Sequence, residues 1–267
     1  MNILVCVKQV PDTTEIKIDP VTNTLIREGV PSIVNPFDGY ALEMAVRLKE
    51  KTGGSVTVLS MGPPQAKNAL KDCLTVGADK AYLVSDRLFG GSDTLATSYI
   101  LSQAIRYLEK ETGAFDLIFC GKQAIDGDTA QVGPEIAEHL GIVQATYVSE
   151  IDVAESGLVQ ITREGDSYME VLEFNAPAVI TVIKLPYEPR YGTLKARMAA
   201  GKAEIPTITA DDLTDIDKTK IGLKGSPTKV KKTFVPSVSK QGVKIEGMDG
   251  PQAAQKLVEL MSDAKLI

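Results

Sequence analysis

At 267 residues, with a net charge of -6 and a pI near 5.0, the chain can bury a full core plus an appendage, and it lacks the basic face that nucleic acid requires. Its cysteines, Cys6, Cys73 and Cys120, are widely spaced among apolar neighbours and its one histidine is His139, so neither a zinc site nor a Ser/His/Asp triad is easy to build. Redox work by such a chain needs a bound cofactor.

Met1 to Lys8 reads as a strand rather than a signal peptide, and no apolar run approaches a bilayer span, so a cytoplasmic protein without membrane insertion is expected. Ile3 to Val7 is a central strand, and Lys8 follows where it leaves the sheet, as a candidate phosphate or carboxylate partner or simply a solvated lysine. Glu15 to Arg27 reads as a polar hairpin turning at Pro20 to Asn23. Asn35-Pro36-Phe37-Asp38 opens the clearest helix: Asn35 caps it, Pro36 takes the first position, and Tyr40, Ala41, Met44, Ala45 and Leu48 repeat at helical spacing up to Gly53-Gly54. Val56 to Ser60 is the next strand, followed by the turn Met61-Gly62-Pro63-Pro64 and a helix packed through Ala69, Leu70 and Cys73. Lys80 to Val84 is a third strand. Gly90-Gly91-Ser92-Asp93-Thr94 approaches a further helix, with Ser92 or Asp93 as cap and with Thr94 and Thr97 in its first turn, placed to bond a ligand or only to satisfy the helix start.

The apolar run Phe115 to Cys120 is a buried parallel strand, and Gly121 to Gly141 follows it as loop and helix. Pro134 suits the first helical turn, Ile136, Ala137 and Leu140 face inward, and Gly141 closes the helix in the left-handed conformation. The loop fits neither G-x-G-x-x-G nor the P-loop pattern, so a nucleotide held there belongs to another design; a long solvated loop is the plain alternative. His139 falls in the last helical turn, on the surface.

Beyond Gly141, Gln144 to Ile151, Leu158 to Arg163, Ser167 to Phe174 and Ala178 to Val182 read as a β-meander. Pro206 to Gly250 has little periodicity and much Lys, Thr and Pro, which suits disorder or a segment laid across a partner, and Pro251 to Leu266 is an amphipathic helix suited to docking. The expected architecture is α/β: a doubly wound, mostly parallel sheet with adenine-nucleotide-binding loops at its carboxyl edge, over residues 1–205. A partner-wrapping arm is expected over 206–267.

Six motifs occur in order along the chain: Val7-Lys8-Gln9-Val10, Asn35-Pro36-Phe37, Met61-Gly62-Pro63, Gly121-Lys122-Gln123-Ala124-Ile125-Asp126, Pro177-Ala178-Val179-Ile180-Thr181 and Glu188-Pro189-Arg190-Tyr191. Together they resemble the beta subunit of electron transfer flavoproteins. The resemblance implies a heterodimer with a flavin-bearing alpha subunit and an adenine nucleotide in the beta subunit's edge loops. That nucleotide is AMP in ordinary members and a second FAD in the electron-bifurcating branch, where NADH is the electron donor and ferredoxin or flavodoxin a possible low-potential acceptor.

By position, the resemblance places the nucleotide against Cys6, Lys8, Asn35, Pro36, Phe37, Asp38 and Met61. It adds the loop Gly121, Lys122, Gln123, Ala124, Ile125 and Asp126, continuing through Gly127, Asp128, Thr129, Ala130, Gln131 and Val132, while Asp93, Thr94 and Thr97 would flank a flavin. Residues 187–202 match the family's recognition loop, with Tyr191, Leu194, Lys195, Arg197 and Met198 as contacts and Leu194 as a plug into an acyl-CoA dehydrogenase. Small residues at Ala130 and Val132 resemble the bifurcating members. Ala199-Ala200-Gly201-Lys202 lacks the lysine-rich run of mitochondrial members. The competing expectations are an ordinary carrier subunit with structural AMP, and a stand-alone ATP-binding module.

Overall fold

The structure, a computed structural model, describes residues 1–12, 31–231 and 242–267. The hairpin expected at Glu15 to Arg27 lies outside the described residues, as does most of the lysine-containing stretch after Lys231.

The amino-terminal half alternates strand and helix. β1 (Asn2–Cys6) is followed by a small antiparallel pair, β2 (Gln9–Pro11) and β3 (Ser32–Val34), then α1 (Pro36–Thr52), β4 (Ser55–Met61), α2 (Lys67–Thr75), β5 (Lys80–Val84), α3 (Thr94–Thr112), β6 (Leu117–Gly121) and α4 (Val132–Leu140). The carboxyl-terminal half holds β7 (Val143–Val153), β8 (Leu158–Glu164), β9 (Met169–Asn175), β10 (Ala178–Val182), α5 (Leu194–Lys202), β11 (Thr207–Ile208), α6 (Gly222–Gly225) and α7 (Gly250–Asp263).

Nine strands form one sheet in the order β11-β5-β4-β1-β6-β10-β7-β8-β9, with every pairing parallel except β7–β8 and β8–β9. The central strands are apolar on both faces because both are covered. Ile3, Val5, Val58, Phe119 and Ile180 pack beneath α1 and α2, while their alternates Leu4, Cys6, Leu59, Ile118 and Val179 pack beneath α3 and α4. Each such Ile, Leu or Phe buried from water contributes roughly 1.5–3 kcal/mol, so this two-sided core is the main stabilising element.

Two expectations are corrected. Ala178 to Val182 does not continue the meander: β10 returns to the sheet centre and pairs parallel with both β6 and β7, since five consecutive buried apolar or small residues fit a strand covered on both faces. Pro134 lies in the first turn of α4, as expected. The boundary expected at residue 205 falls inside the folded body, because β11 extends the sheet beside β5 and Ile208, Ala210, Leu213 and Ile221 are buried in the α3/α4-side core. Their spacing is irregular, so no helical or strand periodicity announces them.

Three glycines end elements as expected. Gly141 closes α4 with φ 70° and ψ 37°, a left-handed pair that suits a residue without Cβ. Gly53 and Gly54 terminate α1 at φ 77° and 113°. α7 has no buried residue, and Leu257 and Val258 stand exposed on it, so nothing among the described residues covers its apolar stripe.

Candidate functional site

β1 and β6 are neighbours whose connections leave in opposite directions, β1 towards β4 and β6 towards β10. A crevice opens at such a switch point, beyond the carboxyl ends of the strands. The chain fills its rim with Lys8 after β1, Met61 to Pro64 after β4, Ser85 to Arg87 after β5, the approach to α3, and the loop between β6 and α4. Together they enclose a cleft of about 930 Å³.

The β6–α4 loop is held at both ends. Gly121 donates its N–H to Asp38 Oδ1 (3.1 Å), and Lys8 donates its backbone N–H to Asp38 Oδ2 (2.7 Å), so one carboxylate joins the ends of β1 and β6 to the first turn of α1. A Cβ at Gly121 would come within 2.6 Å of the Phe37 carbonyl carbon, which is why glycine stands there. Asn35 lies at the start of α1 but makes no capping bond with its side chain. Its Nδ2 donates to Gln123 O (2.8 Å) and its Oδ1 accepts from Ile125 N (3.1 Å). A carboxamide offers both a donor and an acceptor, which matches what the loop backbone presents. Lys8 Nζ then bridges to Asp126 at 2.6 Å, and Gln123 Nε2 donates to Asp128 Oδ1 at 2.7 Å. Asp128 and Ala130 both take positive φ, 47° and 55°, and turn the chain sharply on either side of Thr129 before α4 presents its amino end to the cleft.

Asp38 is 6% exposed, and burial pushes its carboxyl up to about 7, against the opposing pull of Asn35, the two backbone N–H groups and Lys8. Cys6 and Cys120 face each other across β1 and β6, and the Cys120 thiol is held well above its usual range by its hydrogen bond with Cys6 and by burial. These are packing thiols in the cleft floor, not nucleophiles.

The opposite rim comes from α3. Asp93 caps it by accepting from Ala96 N (3.0 Å), as the glycine-rich approach suggests, and Thr94 donates across to Glu135 of α4 at 3.3 Å. This rim is buttressed by residues the sequence assigns to the arm. Ser226 Oγ accepts from Asp93 N (2.9 Å), Thr228 N donates to Asp93 Oδ2 (2.9 Å), and Gly222 N donates to Ser92 Oγ (3.1 Å).

Of the residues expected at the site, Cys6, Lys8, Asp38, Met61, Asp93, Thr94 and Thr97 line the cleft, as do Gly121 to Ala124, Gly127 and Thr129 to Val132. Asn35, Pro36, Phe37, Ile125, Asp126 and Asp128 do not line it; Asn35, Asp126 and Asp128 fix the loop from behind. Ser85, Asp86, Arg87, Phe89 and Leu101 also line the cleft, although no motif singles them out. The signal for the first three is present in the sequence, since they directly follow the strand Lys80 to Val84, where ligand loops belong.

Tyr191, Leu194 and Met198 are far from the cleft loops in sequence and stand on the surface, 90%, 77% and 63% exposed, with Lys195 and Arg197 exposed beside them. Arg190 fixes the segment before them by donating to Glu43 (Nε to Oε2, 2.9 Å) and to Glu50 (Nη2 to Oε2, 3.0 Å), both on α1. Arg47 donates to Glu43 at 2.6 Å and its guanidinium lies 3.7 Å from the Tyr187 ring centroid. Thr193 caps α5 through Ala196 N at 3.1 Å. His139 is half-buried rather than superficial, with its ring edge-on to Tyr99 at 5.6 Å. Among the described residues no helix is long and apolar enough to cross a membrane, and no group of three or more His, Cys, Asp or Glu is arranged to hold a metal.

A doubly wound α/β protein with an open cleft at its switch point, rimmed by backbone loops and helix amino ends, is of the class that holds nucleotides. Comparison with known proteins narrows this. Residues 22–213 match the Electron transfer flavoprotein domain, and the chain belongs to the beta-subunit family of electron transfer flavoproteins. It is 54% identical over the full length of both chains to an Electron transfer flavoprotein subunit beta of Clostridium acetobutylicum. It is 49% identical to Protein FixA of Azorhizobium caulinodans, over 89% of this chain and 85% of that one. It is 44% identical, again over both full lengths, to the Caffeyl-CoA reductase-Etf complex subunit CarD of Acetobacterium woodii.

Proposed function

We propose that this chain is the beta subunit of a cytoplasmic heterodimeric electron transfer flavoprotein and that its cleft holds FAD. The observation that carries the dinucleotide reading is the extent of the cleft. At about 930 Å³ it lies near the top of the range for small-molecule sites, and it runs from the β6–α4 loop across to the Arg87 turn and the first turn of α3. One rim would suffice for a mononucleotide. The loop Gly121 to Val132 and the amino end of α4 would hold the phosphates, and Thr94, Thr97 and Arg87, on the opposite rim, would flank the flavin ring. Bound there, FAD supplies hydride acceptance from NADH and division of the two electrons between a high-potential and a low-potential acceptor, ferredoxin or flavodoxin. The chain's own residues bind and orient the cofactor. Asp38 and Asn35 fix the loop, and the buried floor of Cys6, Leu59 and Cys120 excludes water.

The exposed Leu194 and Met198, flanked by Lys195 and Arg197, form the contact for an acyl-CoA dehydrogenase, and α7 docks on the alpha subunit through Leu257 and Val258. Names among the relatives point the same way, since one is a subunit of a caffeyl-CoA reductase complex. Co-expression with the alpha subunit, denaturation and quantification of released nucleotide decide the reading. Two FAD per heterodimer, no AMP, and flavin bleaching by NADH are expected. One FAD and one AMP, with no reduction by NADH, would make this an ordinary carrier subunit with structural AMP.

A further inference from the structure

Beside the cleft, β7 carries an irregularity its sequence does not announce. Ile180 of β10 pairs with Ala145, but Val182 pairs with Val148, so Thr146 and Tyr147 together occupy the space of one residue. Bulges are uncommon between parallel strands, and where they occur next to functional sites they redirect a side chain. Tyr147 takes φ 61°, a conformation in which an aromatic residue is an outlier. Its backbone N–H, displaced from the ladder, donates instead to Thr181 Oγ1 at 3.1 Å. A glycine would relieve this conformation, and the chain keeps a tyrosine.

The ring shows what the distortion accomplishes. Lys122 Nζ lies 5.0 Å from the Tyr147 ring centroid, within cation–π range, and Lys122 lines the cleft one residue beyond Gly121. Its own N–H is fixed to Val182 O at 2.8 Å, so backbone and side chain of Lys122 are both referenced to the bulged β10–β7 edge. Lys8 is the contrasting case, since its ammonium is already paired with Asp126 at 2.6 Å. Among the described residues Lys122 makes no ion pair. A ring face orients an ammonium without neutralising it, and leaves its donors for an anion.

We propose that Tyr147 is a positioning residue whose strained bulge aims Lys122 at a phosphate of the nucleotide in the cleft. This rests on the reading of the cleft as a nucleotide site. The test is a titration of FAD into heterodimer stripped of nucleotide. Tyr147→Leu keeps the bulk and removes the π face, and is expected to weaken FAD binding about 3-fold. Tyr147→Phe restores it. Lys122→Met is expected to weaken binding about 10-fold and to flatten the dependence of Kd on salt, as loss of a charge-assisted contact should. In the Lys122→Met background, Tyr147→Leu has no further effect, whereas a merely structural tyrosine would cost affinity in both backgrounds.

Wild-type affinity in Tyr147→Leu, or additive losses in the double variant, overturns the inference. Unchanged binding in Lys122→Met overturns it equally and stays decisive if Tyr147→Leu fails to fold. If the wild-type heterodimer binds neither FAD nor AMP, the nucleotide reading itself fails and takes this inference with it.

Discussion

α1 buries two carboxylates, one at the cleft and one under the exposed segment Tyr191 to Met198, and satisfies them in opposite ways. At the cleft, Asp38 is held by the N–H groups of Lys8 and Gly121; under the exposed segment Tyr191 to Met198, Glu43 is held by Arg190 and Arg47. Amide dipoles offset burial only in part, so the Asp38 carboxyl is raised to about 7. Guanidinium ions do more: burial also acts to raise Glu43, but Arg190 and Arg47 outweigh it and hold its carboxyl below the usual range. Glu50, whose bond to Arg190 is the leading cause, is lowered likewise, and Arg190 is correspondingly raised. The cleft is thus tied together by backbone geometry, and the exposed segment by charge.

Removing the charge at Glu43 should show the larger effect. Glu43→Ala leaves two arginines facing a buried void, and because their guanidinium groups reach solvent, the full cost of breaking a buried pair is discounted to about 2 kcal/mol, measured by urea unfolding. On the proposed function, electron transfer to the proposed dehydrogenase partner should slow in the same variant while nucleotide binding stays unchanged. Equal loss of nucleotide would show that the two surfaces are not independent.

At the other carboxylate, Asp38→Asn must set an amide N–H against one of two backbone donors and is expected to cost about 1 kcal/mol near pH 7, with loss of nucleotide retention. Its pH dependence has a definite sign. The folded pKa of Asp38 is raised, to about 7 from an ordinary 3.8, so the folded state binds the proton more tightly. The stability this provides is complete below about 3.8, declines as pH rises, and is gone above about 7. The wild-type protein should therefore gain stability relative to Asp38→Asn between pH 8 and pH 6. A gap that stays flat across that window would show that the carboxyl titrates normally. The lowered groups Glu43, Glu50 and Asp93 lose their contributions only at more acid pH and do not confound this range.

The smallest expected effect is at the cleft mouth. Lys8 and Asp126 are close, but the Lys8 side chain is half exposed, and Asp126→Asn should change stability by no more than about 0.5 kcal/mol. A larger loss would mean that charge also braces the cleft, and would erase the contrast drawn along α1.

The positions of the cleft's loops were legible because local patterns place them. A strand of alternating or continuous apolar residues, then glycines, then a helix start, puts Lys8, Met61 and Gly121 at the ends of strands that must run parallel and Asp93 at the start of the helix after another, and therefore all on one edge. What Asn35 does there was not legible. An Asn before Pro at the start of a helix is a good cap by any local rule, and only the proximity of Gln123 and Ile125, some 90 positions on in sequence, gives its amide better partners. Arg87, just after β5, satisfies the same rule as the others.

The alternation of elements, the parallel sheet, the edge that carries the loops and the left-handed ending of α4 are all local matters, because each follows from periodicity or from one residue's allowed φ and ψ. Long-range packing sets the rest: β10 inserts between β6 and β7, residues 206–226 belong to the body and brace Asp93, Asp38 is buried between two backbone donors, and β7 bulges at Tyr147. Each of these depends on which distant strand or loop arrives beside a residue, and the free energy of that meeting is shared between segments that neither sequence pattern contains alone.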